Sequence, residues 1–281
     1  MTQKANPLKQ FFRQPAIYLR LPSQGQYWDS SAIDMPTNQE LPVFPMTAID
    51  EITYRTPDAL FNGQAVVNVI QSCIPAIRDA WEIPGTDLNA ILIAIRIASY
   101  GHNMDMTVKC PACETESDFT ADLRLMLDRL KCANYAGVLK QGDLEVTFNP
   151  ISYMHQNQIN LSQFEQQRKI QQIQMSEELT DEQKIEQLNA TLQQITALTI
   201  ETLKYSIASI RTPQSLVTDP EFIQEFLVNC DRKFYTQIRD HIIDLRQESE
   251  IGNIEIACPN CNHQWPQNLT LDQAAFFGVA S

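Results

Sequence analysis

Glycine is scarce in this chain of 281 residues, with 8 in all, and none of them falls in a G-x-G-x-x-G or G-x-x-x-x-G-K-[ST] pattern. The loops that bring backbone N–H groups against a phosphate are therefore missing, which excludes the common nucleotide cradles. Long apolar runs are missing too. The nearest, Ala90 to Ala98, is cut by Arg96 and falls short of the roughly 18 residues of a membrane span. The stretch Met1 to Gln14 is polar around Leu8, Phe11 and Phe12 and does not read as a secretory signal. Positive charge is in short supply: 21 Lys+Arg stand against 34 Asp+Glu, for a formal net charge of −13 and a pI near 4.7. The lysines and arginines are scattered, so the basic surface that a nucleic-acid backbone requires is not expected. With only 4 histidines, no Ser/His/Asp or Cys/His arrangement stands out. Nucleic acid, membrane and small-molecule substrate all drop out as expected partners, and no enzymatic activity is expected.

What is present is cysteine in pairs. Of 7 cysteines, four make two matched stretches, Cys110-Pro111-Ala112-Cys113 and Cys258-Pro259-Asn260-Cys261. Strand-like residues precede each, Met106-Thr107-Val108 and Ile254-Glu255-Ile256, and a leucine follows each at equal distance, Leu123 and Leu271. Two residues between cysteines let the chain turn tightly enough for both sulfurs to face one tetrahedral ion at about 2.3 Å. The pairs read as the two knuckles of a zinc ribbon split by residues 114–257, with Cys110, Cys113, Cys258 and Cys261 as ligands of a structural Zn2+. Two disulfides are a competing reading, but an odd cysteine count without a secretory signal fits a reducing compartment. A redox dithiol would need a thioredoxin-like βαβ context, which the sequence does not offer. Cys73, Cys132 and Cys230 lie in apolar helical stretches and are expected as buried core thiols. His263 is expected on the knuckle surface, and His241 in the core on an apolar helix face. Zinc closed by four thiolates keeps no position for water or substrate, so it points to scaffolding.

The fold class expected is α+β and mainly helical: a split zinc ribbon with an inserted helical hairpin and an extended N-terminal arm. Residues 1–45 carry Pro7, Pro15, Pro22, Pro36, Pro42 and Pro45, each of which removes a backbone donor and disfavours helix before it. This arm is expected to be extended, with strands at Ala16–Leu21 and Leu41–Phe44. Dense aromatics, among them Tyr18, Tyr27 and Trp28, suit an arm that packs on its own domain or on a partner, with part of it expected to run along a neighbouring subunit. Residues 46–150 form a helical block with the first knuckle. In it Thr47 and Thr56 start helices, Ala65 to Ile77 and Leu88 to Tyr100 repeat apolar residues at helical spacing, and Pro84 to Asp87 reads as a turn with Arg96 on a helix edge. Leu123 to Leu130 suggests a brief helix and Leu144 to Phe148 a strand. Residues 151–250 form the inserted helical domain. Ile159, Gln163, Gln166, Ile170 and Ile173 face Ile185, Leu188, Leu192, Ile195, Thr199 and Thr202 across an antiparallel hairpin, with a capping box at Thr180 to Gln183. Asp219-Pro220 and Asp231 start two further helices. Residues 251–281 hold the second knuckle and a C-terminal segment with Phe276-Phe277 as an anchor.

Four stretches in order carry a family resemblance: Tyr18-Leu19-Arg20-Leu21-Pro22-Ser23-Gln24-Gly25-Gln26-Tyr27-Trp28, Pro45-Met46-Thr47-Ala48-Ile49-Asp50-Glu51, Thr56 to Gly63, and Ile93 to Gly101 leading into the first Cys-Pro-x-Cys. They resemble the baseplate hub subunits and hub assembly proteins of T-even-like contractile-tailed bacteriophages, over about residues 16–120. The resemblance implies a structural component of the virion's tail baseplate, assembled in the host cytoplasm and holding other baseplate and tail-hub proteins together. The alternative it implies is a hub assembly chaperone absent from the mature particle. It carries no catalytic residue.

Overall fold

A computed structural model describes residues 6–54, 63–176 and 179–268. The Thr56 helix start, Leu271 and the Phe276-Phe277 anchor lie outside the described residues. Eight α-helices and ten strands are found among the described residues, an α+β fold in agreement with the sequence reading.

The first core is built around one helix, α3 (Gly85–Tyr100). Ala90 through Ile95 are six consecutive buried residues, as expected of a helix apolar on all sides. Gly101 ends it at φ 88°, with its N–H on Ile97 O at 3.0 Å, a conformation that glycine takes without strain. Pro84 to Asp87 is not a separate turn. Pro84 is the N-cap of α3 and Asp87 lies in its first turn, because proline's fixed φ suits a helix entry. Arg96 is buried in the helix rather than on an edge. Helices α1 (Ala48–Tyr54) and α2 (Gln64–Cys73) pack beside it. The Thr47 hydroxyl caps α1 by accepting Asp50 N at 3.2 Å.

The N-terminal arm closes this same core. Strand β1 (Ile17–Leu19) pairs antiparallel with β2 (Leu41–Val43), Leu19 opposite Leu41, and both leucines are buried in the first core while Tyr18 faces out. Two polar anchors hold the arm. Arg13 donates to Pro45 O at 2.6 Å and Ser72 O at 2.7 Å. Asp87, fully buried, accepts from Ser23 N at 2.9 Å, from the Ser23 hydroxyl and from Trp28 Nε1 at 2.7 Å. Of the segment Ile17 to Leu21 and Trp28, Leu19 and Leu21 are thus buried in the first core with Ile17 and Trp28 packed against it, while Tyr18 is exposed.

Two seven-residue strands, β3 (Asn103–Lys109) and β4 (Glu116–Asp122), follow α3 as a hairpin. The short helix α4 (Leu123–Arg129) comes next. A four-stranded antiparallel sheet, β5-β6-β7-β8, then supports the second core. It takes β5 (Val138–Gln141) and β6 (Leu144–Phe148) from before the long helices, and β7 (Ile207–Arg211) and β8 (Leu216–Val217) from after them. Val146, Phe148 and Ile210 pack there against Ile223 and Leu227 of α7 (Pro220–Asn229) and Phe234, Ile238 and Leu245 of α8 (Arg232–Glu248). Asp219 and Asp231 cap these two helices through their carboxylates. The His241 ring lies tilted against Phe148 with ring centroids 4.6 Å apart, a packed position on the apolar face.

Between β6 and β7 the chain makes the long hairpin of α5 (Tyr153–Met175) and α6 (Asp181–Ser206). Thr180 and Gln183 form the capping box. Thr180→Ala is expected to cost about 1 kcal/mol of local stability, read as faster amide exchange in the first turn of α6 with the hairpin base unchanged. Part of the seam is shifted by one residue from the sequence reading. Thr191 is 5 % exposed and Leu192 53 %, and Ile185 is exposed as well. The register is fixed at the base, where Leu203 and Ile207 enter the second core, so the phase propagates outward from there and overrides the more apolar choice. No described helix is long and apolar enough to cross a membrane.

Candidate metal centre

The third core is small and lies between two hairpins, β3–β4 and β9 (Asn253–Ala257) with β10 (Gln264–Asn268). Val108, Ile256 and Trp265 fill it together with Cys110 and Cys258. Each hairpin ends in one Cys-Pro-x-Cys turn, and the two turns follow the same backbone path. Cys110 N donates to Thr115 O at 3.0 Å and Glu114 N to Cys110 O at 2.9 Å. Cys258 N donates to His263 O at 2.9 Å and Asn262 N to Cys258 O at 2.9 Å. The residue after the second cysteine is left-handed in both, Glu114 at φ 56° and Asn262 at φ 55°. Asparagine takes this region readily, whereas Glu114 bears a cost of roughly 1–2 kcal/mol, accepted because the turn aims both sulfurs inward.

The turns bring together all four predicted ligands. Cys110 Sγ lies 3.7 Å from Cys261 Sγ, and Cys113 Sγ lies 3.6 Å from Cys258 Sγ. The four sulfurs stand within 4.8 Å of one another. Four ligands about 2.3 Å from a common tetrahedral centre stand about 3.8 Å apart, so the donor set fits a metal ion. The separations are far from the roughly 2.05 Å of a disulfide, and all seven cysteines are free. Cys110 and Cys258 are buried, Cys113 is half-buried and Cys261 faces out. Each turn therefore gives one inner and one outer sulfur. His263 contributes its carbonyl to the turn and sets its ring against Trp265, away from the cluster as expected.

The electrostatics of the cluster are uneven. Hydrogen bonding to Thr115, helped by the neighbouring thiols, lowers the Cys113 thiol to about 6. Against the pull of the His263 backbone, contacts with Cys113, Cys258 and Cys110 push Cys261 up to about 12. Four sulfurs in contact can release one proton easily, but later protons must leave in the field of the anion already formed. A divalent cation at their centre removes that obstacle. Asn260 links the turns: its Nδ2 donates to Thr115 Oγ1 at 3.2 Å and approaches Cys113 Sγ at 3.8 Å. Thr115 and Asn260 are absent from the sequence reading. A clue was the position of Asn260 inside the second Cys-Pro-x-Cys, where a polar side chain can reach only the opposite turn or solvent.

The other cysteines are divided. Cys73 is fully buried, and burial pushes its thiol up to about 12. Cys132 and Cys230 are half-buried rather than core residues: Cys132 packs at the edge of the second core, and Cys230 is the C-cap of α7. Among the described residues the four-sulfur cluster is the one group of at least three metal-binding side chains.

Searches of curated proteins and of solved structures returned no match. A family described as T4 bacteriophage base plate protein matches residues 37–278. The match takes in the long hairpin and the second Cys-Pro-x-Cys, beyond the stretch of sequence resemblance. The chain belongs to this family of T4-like phage baseplate proteins.

Proposed function

We propose that the chain is a non-catalytic structural component of the hub region of the baseplate, fastened internally by a Zn2+ ion on Cys110, Cys113, Cys258 and Cys261. The observation that carries this reading is the sulfur cluster, whose facing pairs are 151 and 145 residues apart in sequence. Tetrahedral four-thiolate donors suit zinc or iron, and zinc adds no redox chemistry. Such an ion has no vacant position. Its effect is geometric: it ties the hairpin behind α3 to the hairpin behind α8, so that the first and second cores keep a fixed relation. The surface of the α5–α6 hairpin and the acidic faces are then presented to other baseplate and tail-hub proteins. The net charge of −13 opposes binding to nucleic acid.

Two measurements test the reading. Elemental analysis of protein purified without chelator is expected to give one zinc per chain, unchanged in Cys230→Ser. Zinc-free protein with four readily modified thiols at the cluster would overturn the metal assignment. Purified mature tails are expected to contain the chain in fixed stoichiometry, with density for it in the hub region. Its absence from finished tails, with tails failing to form without it, would establish an assembly chaperone instead.

A further inference from the structure

Where the base of the α5–α6 hairpin meets the start of α3 and one face of α8 there are two cavities, of about 210 and 300 Å3. Both are lined by Ile151, Gln156, Ile242 and Arg246, so they are adjoining parts of one cleft. Arg246 is largely withdrawn from water, and burial pulls its guanidinium below the ordinary value. Among the described residues no carboxylate comes within ion-pairing distance of it. Its electrostatic neighbours are the Tyr135 phenol and the carboxylate of Glu250, an exposed residue at the rim. Arg239, two turns earlier on the same helix face, lines the cleft too but is already paired with Asp240 at 2.7 Å. A largely desolvated cation faced only by a phenol and by one exposed carboxylate at the rim, outside ion-pairing distance, is poorly compensated, and its retention in an acidic chain points to an anion supplied from outside.

A second group in the cleft is also incomplete. Asn149 Nδ2 donates to Pro150 O at 3.4 Å, which turns Oδ1 inward, where it is buried without a donor. The cleft thus offers a cation and an acceptor, with aliphatic walls from Ile159 and Ile243. We propose that it binds an acidic peptide segment of a neighbouring protein, with a glutamate side chain on Arg246, its methylenes along the isoleucines and a backbone N–H on Asn149 Oδ1. A free phosphate fits less well. Its oxygens would oppose Asn149 Oδ1, and the field of a chain at −13 penalises a dianion more than a single carboxylate.

The proposal takes from the baseplate role only that the chain docks on other proteins. Its test uses the isolated full-length chain, so it can fail while that role stands. The protein would be titrated with a capped Leu-Glu-Leu peptide, its Leu-Gln-Leu counterpart and inorganic phosphate, following the Arg246 Nε resonance. The glutamate peptide is expected to move that resonance to saturation, the glutamine peptide to bind about tenfold more weakly or worse, and phosphate to leave it in place. Arg246→Met is expected to abolish peptide binding while the free protein melts at the same or a higher temperature, since it removes a poorly compensated charge. No saturable shift with the glutamate peptide, equal binding of the two peptides, or a preference for phosphate would overturn the proposal. So would an Arg246→Met protein that melts well below wild type, because Arg246 would then be holding the fold.

Discussion

Serine at both Cys110 and Cys258 is expected to yield a chain without zinc and without a cooperative melting transition in the segment between α3 and the end of β10. These are the inner, buried sulfurs of the cluster, so their loss removes two ligands and leaves hydroxyls in an apolar core. Structural zinc contributes on the order of 10 kcal/mol of apparent binding free energy, against a total stability of roughly 5–15 kcal/mol for a folded chain. The third core is too small to compensate: apart from the cysteines it buries Val108, Ile256 and Trp265. Metal analysis and calorimetry on the double variant are the direct measurements. Complementation of a deletion phage gives the functional one, with no infectious tails expected. Normal tails carrying Cys110→Ser/Cys258→Ser would remove the zinc fastening from the account altogether.

The second large effect is expected at Asp87. Its carboxylate is the common acceptor for Ser23 N, the Ser23 hydroxyl and Trp28 Nε1. Asp87→Ala would leave three donors without a partner. Each unmade bond in a buried place costs about 1–3 kcal/mol, for a loss of about 4 kcal/mol and release of the arm around Ser23 to proteolysis. Asp87→Asn keeps one oxygen and should lose less. Burial raises the pKa of Asp87 even though Ser23 and Trp28 pull it down. A carboxyl with a raised folded-state pKa favours the folded state when protonated. Its contribution is therefore full below the ordinary carboxylate range and is lost as pH rises through the folded value. The difference in melting temperature between wild type and Asp87→Asn should follow that trend. A difference that grows in wild type's favour with rising pH across the same range would contradict the assignment.

Asp87 also marks a limit of reading the sequence. Next to Pro84 and Gly85 it looked like part of a turn, because its partners, Ser23 and Trp28, are 64 and 59 residues away and no local pattern points to them. The four cysteines were legible for the opposite reason: the Cys-Pro-x-Cys spacing is itself the geometry of the turn. The helices were legible where a cap coincided with an apolar repeat, as at Asp219, Asp231 and Thr180. Strand β7 was not, since it follows α6 without an intervening residue and the chain gives no turn signal there. Strand β3 alternates Met104, Met106 and Val108 with polar residues and was legible over Met106 to Val108, whereas β4 has only Phe119 and Ala121 as apolar residues and was not read. The arm was legible only in part, through its aromatics. They indicated a need for a surface to pack on, and nothing in the sequence said that α3 was that surface.

The distance along the chain between the two halves of the cluster sets a schedule during synthesis. Cys110 and Cys113 leave the ribosome together, but Cys258 follows Cys113 only after 145 residues. At about 5–20 residues per second that interval is roughly 7–30 s. Throughout it the nascent polypeptide holds only two of the four thiols of the cluster, too few to close a tetrahedral site. The proposed ion could be captured only after both long helices and α8 have been translated. Closure of the site thus reports that the whole intervening segment has been made, and a product of premature termination before Cys258 would carry exposed thiols that a quality-control system can distinguish from the finished protein.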